Sequence, residues 1–311
     1  MLGALAVGLL GLIGLMVATV AINAWPSFSA NGLSWFGSGG NVVQQFEAMH
    51  ADTPLPGHQA LYFRAWPLLW GTLLTTVLAV ICALVISTLA AIFLTEFAPT
   101  WVRRILEPII RLLAGVPSVV YGLIGIAVIA PWINEHLISN ARKHSVIYVV
   151  QLGGASLLTA TVILTVMILP IMVSISANAL GAVPKSWQEG SLALGVNRWR
   201  TILRVSLRTA RPAIAAGVVL ATARALGEAI MLAMVSGGNP FEANPLDGLT
   251  FLFEPVQTLA ATIIKEFGGE TQGPVAHTIY AIAAVLLFSA ALLSIAGWAV
   301  KQPLKRYGIG A

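Results

Sequence analysis

The chain has 311 residues, of which 58% are hydrophobic and only 9% charged, against the roughly 25% charged residues of soluble globular domains. That composition excludes a soluble protein and places most of the chain in a bilayer, as one polytopic domain over 1–311 where length alone would suggest about two soluble ones. The net charge of +5 reads as a signal of membrane orientation and argues against a nucleic-acid partner.

A span needs roughly 20 apolar residues to cross the hydrocarbon, and the charge-free runs predict six helices near 2–23, 67–94, 109–133, 155–180, 213–236 and 276–300. The first run lacks a basic leader, and its apolar length from Leu2 to Ile22 exceeds the about 7–15 residues of a signal-peptide core, so it reads as a retained span. The stretch after it, 24–66, carries Gly39-Gly40, Pro54 and Pro56 between Gly37 and Gly57 without periodicity, which predicts loop or short elements. The second run is uncharged from Ala65 to Thr95, long enough for one tilted helix and too short for two. It holds the only cysteine, Cys82, as a packing residue. Pro170 should kink the fourth helix by removing one hydrogen bond, which neighbours in a bundle can make good. The five histidines, His50, His58, His136, His144 and His277, are scattered, and no metal-ligand spacing appears.

Short cytoplasmic loops carry an excess of Lys and Arg. Arg103, Arg104 and Arg111 lie between helices two and three, Lys185, Arg198, Arg200, Arg204, Arg208 and Arg211 between four and five, and Lys301, Lys305 and Arg306 in the tail. The other side holds only Arg64, Arg142, Lys143 and Lys265, together with eight of the 12 acids: Glu47, Asp52, Glu135, Glu242, Asp247, Glu254, Glu266 and Glu270. Both termini are therefore expected in the cytoplasm.

The polar interruption at 181–212 has its own internal pattern. Ser186-Trp187-Gln188-Glu189 fits a capping box, in which the serine hydroxyl and the glutamate carboxylate each satisfy a free N–H and a helix starts at Trp187. Gly195 is suited to the left-handed conformation that stops a helix. Asn197 can cap a second one, in which Arg200, Arg204, Arg208 and Arg211 form a stripe away from Ile202, Leu203 and Leu207. By composition alone this is a basic loop at the inner surface. However, Glu189-Gly190-Ser191, with Gly195 six residues after the glutamate and then Val205 and Leu207, resembles the EAA loop of ABC-importer permeases. Gly190 and Ser191 replace its two alanines and Arg208 its proline. The resemblance implies that Ser186, Glu189, Gly190, Ser191 and Gly195 belong to a helix that docks on a cytoplasmic ATPase.

A second resemblance is narrower. Ala114-Gly115-Val116-Pro117-Ser118-Val119-Val120-Tyr121-Gly122-Leu123 and Arg224-Ala225-Leu226-Gly227-Glu228 are similar to the signatures of PstC-type permease subunits of phosphate-specific ABC importers, as are Leu94-Thr95-Glu96 and Asn31-Gly32-Leu33-Ser34. Ala229 and Ile230 depart mildly from them. The resemblance implies an all-α polytopic membrane protein of the type I ABC-importer permease fold with six transmembrane helices, in a bacterial inner membrane. It also implies a PstA-like second permease, two PstB-like ATPase subunits and a PstS-like external phosphate-binding protein as partners, beside membrane lipid. The chain has no G-x4-G-K-[ST] loop, so ATP and magnesium are expected on the partner ATPase and no cofactor or catalysis on this chain.

Arg224 and Glu228 can be judged without the family. A helix rising about 1.5 Å per residue from Ala213 brings Arg224 about 16 Å in, near mid-membrane. A charge there faces a bundle interior or an aqueous path, and at i and i+4 the two side chains share a face. Two readings stand: an internal ion pair that fixes packing, or a transient anion site in which Arg224 meets the substrate and Glu228 lowers its affinity so that it leaves. Gly115, Pro117, Ser118 and Gly122 equally admit close helix packing or a place on the path, with N–H groups freed at a helix break near Pro117. The rival functions are an ABC permease for another oxyanion such as molybdate or sulfate, an ion-coupled secondary transporter, and a membrane scaffold or sensor.

Overall fold

The computed structural model describes residues 2–51, 60–140, 143, 151–239, 242–267 and 273–306. Asp52, Pro54, Pro56, Gly57, His58, Arg142, His144 and Glu270 lie outside them. The described chain is helical, with one isolated bridge between Gly237 and Val256. Among the described residues, five helices are long and apolar enough to cross a membrane.

The first, α1 (Leu2–Asn31), runs past the expected end at 23 because Pro26 is accommodated within it and Asn23 donates to the Thr19 carbonyl at 2.8 Å. Its apolar stretch is unburied, as lipid-facing surface would be. The following segment is more ordered than the sequence predicts. A 3-10 turn (Gly32–Phe36) leads to α2 (Val42–His50), which Asn41 caps by accepting from Val43 N at 2.8 Å. Trp35, Phe46 and Phe63 are buried in ring contact at 5.3–5.6 Å. This aromatic core is built from three short pieces, so no single helical or strand period runs through it.

The second span, α3 (Trp66–Ile92), passes into a wider π turn at Phe93–Phe97. The third departs from 109–133. Thr100–Ala114 forms a separate amphipathic helix, α4, with Arg103, Arg104, Glu107 and Arg111 on one side. The chain then breaks at Gly115–Pro117, and the apolar span is Ser118–His136, made of α5 (Ser118–Ile124), a π turn at Gly125–Ile129 and α6 (Ala130–His136). The cause is local: Pro117 has no N–H and restricts Val116, while four charges in four turns keep α4 at the interface. The fourth helix, α7 (Leu157–Gly181), continues through Pro170 and is the most buried of the five. Its Thr165 donates to the Thr161 carbonyl at 2.7 Å and to the Ala79 carbonyl of α3 at 3.3 Å, a polar link of the kind that joins membrane helices.

After the polar interruption, α8 (Lys185–Ala193) and α9 (Arg198–Thr201) lead through a π turn at Ile202–Ser206 into α10 (Leu207–Leu226). The expected helix at 213–236 thus begins earlier, with Pro212 inside it, and stops at Leu226. The chain resumes as α11 (Ile230–Val235). Three arginines and this break keep the segment out of the five uniformly apolar spans. A 3-10 stretch (Pro245–Phe253), α12 (Leu259–Glu266) and α13 (Gly273–Arg306) complete the chain.

The chain divides into two compact units: residues 1–74, 122–160 and 227–289, and residues 75–121, 161–226 and 290–311. The first is centred on Trp35, Phe46, Phe63 and Leu68 with Leu259, Val275 and Ile279. The second packs Ala91 and Ile92 against Leu180, Val183, Ile202, Ala210 and Ile214. That second core supports the polar interruption.

Candidate coupling and translocation sites

The helix α8 starts at Lys185 with Pro184 in the capping position, and no side chain caps it. The expected capping box is therefore absent: Ser186 lies within the first turn, one step too far in to act as the cap. Proline just before Lys185 cannot continue a helix backwards and orients the chain into its first turn. The other end follows the expectation. Gly195 has φ +78°, its N–H donates to the Leu192 carbonyl at 2.9 Å, and the Val196 N–H donates to the Ser191 carbonyl at 3.3 Å. This is the paired Schellman arrangement, which satisfies two carbonyls at the helix end. Asn197 Oδ1 then accepts from Arg200 N at 2.8 Å and starts α9.

The inner side of this helical hairpin is tied down. Ser191 Oγ and Thr201 Oγ1 are 2.9 Å apart, and Gln188 Nε2 donates to Ser206 Oγ at 3.1 Å and to Glu96 Oε1 at 3.4 Å. Arg198 donates to the Glu96 carbonyl, has its guanidinium 4.0 Å from Glu96 Oε2, and lies over the Phe97 ring, which meets Trp199 edge-on at 5.7 Å. Sequence reasoning missed Glu96, Gln188 and Arg198 as anchors. The available signal was an acid, Glu96, ending an apolar run opposite a basic loop. Outward, Glu189, Gly190 and Gly195 are exposed and Ser191 half-buried, while Trp187, Leu192 and Leu194 expose apolar surface. Arg200, Arg204, Arg208 and Arg211 are all exposed, although the π turn shifts their spacing.

At the break before the third span, Gly115 N–H donates to the Leu112 carbonyl at 3.0 Å and Val116 N–H to the Leu113 carbonyl at 3.3 Å. Tyr121 Oη adds a 2.9 Å bond to that same Leu113 carbonyl, closing the break from its far side. Gly115 and Pro117 are exposed and Ser118 half-buried. Gly122 packs closely against α11: a Cβ there would lie 3.2 Å from Met231 Cα and 2.8 Å from Met234 Sδ, so a side chain would displace the Met234 thioether and crowd the α11 backbone.

Arg224 is exposed near the end of α10, close enough to Tyr121 for its charge to act on the phenol, and it makes no hydrogen bond or ion pair among the described residues. Glu228 lies in the break, where its Oε1 accepts from Met231 N at 3.2 Å and helps to start α11. The shared helical face expected of the two side chains is lost because the helix stops between them. Backbone left irregular at membrane depth persists only inside protein or against a water-filled cavity. Gly227 is exposed and Glu228 and Ala229 only half-buried, so this break requires either a neighbouring chain or an aqueous path beside it.

Elsewhere in the first unit, at the end of α12, burial pushes the Glu266 carboxyl above its ordinary value, with His50 and Lys265 opposing and Glu47 adding to the rise. Burial lowers Lys265.

Apolar helices, an anchored polar helix between two of them and an arginine beside a broken helix make this a polytopic membrane protein with polar sites of its own. Residues 83–302 match the family described as "Binding-protein-dependent transport system inner membrane component", and the chain belongs to that family. It is 40% identical over 223 residues to the probable ABC transporter permease protein YqgH of Bacillus subtilis, a match covering 71% of this chain and 66% of that one. It is 31% identical over 276 residues to the probable phosphate transport system permease protein PstC of Methanocaldococcus jannaschii, covering 87% and 79%. With the phosphate transport system permease protein PstC of Pasteurella multocida it shares 29% over 306 residues, covering 96% and 88%. Among solved structures, a chain of the inward-facing MetNI methionine ABC transporter has a TM-score of 0.53 at 18% identity, over 76% of this chain and 94% of that one, a likeness of fold alone.

Proposed function

We propose that this chain is the PstC-type permease subunit of an ATP-driven importer of inorganic phosphate. Its spans form half of the translocation path, and α8 couples them to a cytoplasmic ATPase. The observation that carries the coupling role is the exposed face of α8 on an anchored base. Glu189 and Gly190 point away from a hairpin that Glu96, Gln188, Arg198 and the Schellman end at Gly195 hold in one geometry. A partner pushing on that face moves α7 and α10, which flank it in sequence.

Phosphate as cargo is supported by the two PstC relatives, both named as phosphate transport system permeases, and by the chemistry of Arg224. A guanidinium without a partner among the described residues costs several kcal/mol if it faces lipid. Facing a path, it donates bidentately to phosphate oxygens. Gly115, Pro117 and Ser118 lie at the entrance of the third span on the same path. Glu228 holds the start of α11, and its charge keeps the oxyanion from binding too tightly to leave.

The partners in this reading are a PstA-like permease that completes the path, two PstB-like ATPase subunits that bind ATP and its magnesium, and a PstS-like external phosphate-binding protein. Both termini face the cytoplasm in this reading, which the Lys and Arg distribution supports. The test is co-purification of the four components in proteoliposomes, followed by binding-protein-stimulated ATP hydrolysis with phosphate, sulfate and molybdate. Stimulation by phosphate alone is expected. Stimulation by sulfate or molybdate alone would move the assignment to that oxyanion.

A further inference from the structure

The amphipathic helix α4 closes a cavity that neither coupling nor translocation uses. It measures about 280 Å³, and Thr95, Arg103, Glu107, Arg111, Ser174 and Asn178 supply its polar lining. Arg103 is engaged with the carbonyls of Leu94 and Thr95, each at 3.0 Å, and lies 3.9 Å from Glu107. Arg111 makes no hydrogen bond or ion pair among the described residues, so the cavity keeps one uncompensated positive charge. The other stripe of the same helix, Trp101, Ile105, Ile109 and Leu112, is 44–74% exposed. A helix with a charged face and an apolar face lies in the plane of the membrane interface. Its cavity, on the charged face opposite that stripe, then lies at the depth of the lipid phosphates.

We propose that this cavity binds the phosphodiester of an acidic phospholipid. Arg111 is the principal cation, and Ser174 and Asn178 are neutral donors. A guanidinium matches phosphate oxygens in geometry, and basic pockets between helices at the cytoplasmic surface suit acidic head groups. The oxyanion chemistry is shared with free phosphate, and the placement of α4 in the membrane interface, where head groups are concentrated, favours the lipid. The proposal rests on the membrane placement of α4, not on the cargo.

The test uses the intact complex in mild detergent, incubated with micelles containing phosphatidylglycerol or phosphatidylcholine, with bound lipid counted by native mass spectrometry. The wild type should retain phosphatidylglycerol in preference to phosphatidylcholine, millimolar inorganic phosphate should not displace it, and Arg111→Gln should lower retention about tenfold. Arg208→Gln removes an exposed arginine outside the cavity and should match the wild type. If Arg111→Gln fails to assemble, Asn178→Leu, which fills the cavity while keeping the charge, should give the same loss. Equal retention of the two lipids, or wild-type retention in the Arg111 variant, would overturn the proposal. Displacement by inorganic phosphate would overturn it in favour of a free-anion site. Phosphate uptake in phosphatidylcholine vesicles reads the transport assignment separately, so the two can fail independently.

Discussion

The polar hairpin of α8 and α9 and the helix break beside Arg224 both interrupt an apolar chain, and they are finished in opposite ways. In the hairpin, the end of α8 is closed by the Schellman bonds at Gly195, the start of α9 by Asn197, and the inner face by Glu96, Gln188, Ser191 and Arg198. At the break, Glu228 starts α11 through one 3.2 Å bond, and the guanidinium of Arg224 is left exposed. Completed polar groups make a lever that moves as one piece. An unfinished charge makes a site that something else completes, either a ligand or a partner chain.

Substitutions can break or sharpen this contrast. The largest effect is expected at Gly195, where the left-handed φ of +78° costs a residue with a side chain roughly 1–2 kcal/mol and more for a β-branched one. Gly195→Val should abolish phosphate uptake and detach ATP hydrolysis from the binding protein, while limited proteolysis finds the spans inserted. Glu189→Ala should do the same from the exposed face. Normal uptake in both would remove the coupling role from α8.

Next is Arg224→Gln, which removes charge-assisted hydrogen bonds worth about 1.5–3 kcal/mol, so uptake should fall roughly 10- to 100-fold with the complex still assembled. An unchanged uptake rate would leave Arg224 a packing residue. Glu96→Gln removes the charge opposite Arg198 but can keep the Gln188 bond. As the pair is partly exposed, its loss is worth at most about 1 kcal/mol, a less than tenfold fall in the uptake obtained per ATP. The smallest effect is local: Asn197→Ala should cost about 1 kcal/mol of helix-start stability, seen as faster amide exchange at Arg200 with transport retained.

How far these two regions were legible in the sequence follows from the range of the forces that build them. The Gly195 stop and the Asn197 cap depend on residues within one turn, and both stand where the pattern puts them. The Ser186 capping box fails on equally local grounds, since Pro184 already starts the helix and moves Ser186 inside it. The anchors are different. Glu96 reaches Gln188 and Arg198 across 92 and 102 residues of sequence, and periodicity carries no trace of such a contact. The stop at Leu226 was hidden because Ala225-Leu226-Gly227 reads as ordinary membrane helix, and only the demand of Glu228 for the Met231 N–H shows where α11 begins. The third span was misplaced because apolar residues on one side of α4 resemble a span until the charges on the other side are set at 100° per residue.

The most direct test compares Gly195→Val with Arg224→Gln in the same reconstituted complex, reading phosphate uptake and binding-protein-stimulated ATP hydrolysis together. Both variants should lose uptake, but only Gly195→Val should lose the response of hydrolysis to the binding protein, because only it breaks the lever. If hydrolysis in Arg224→Gln also stops responding, or if hydrolysis in Gly195→Val still does, the division between an anchored coupling helix and an open substrate site is wrong.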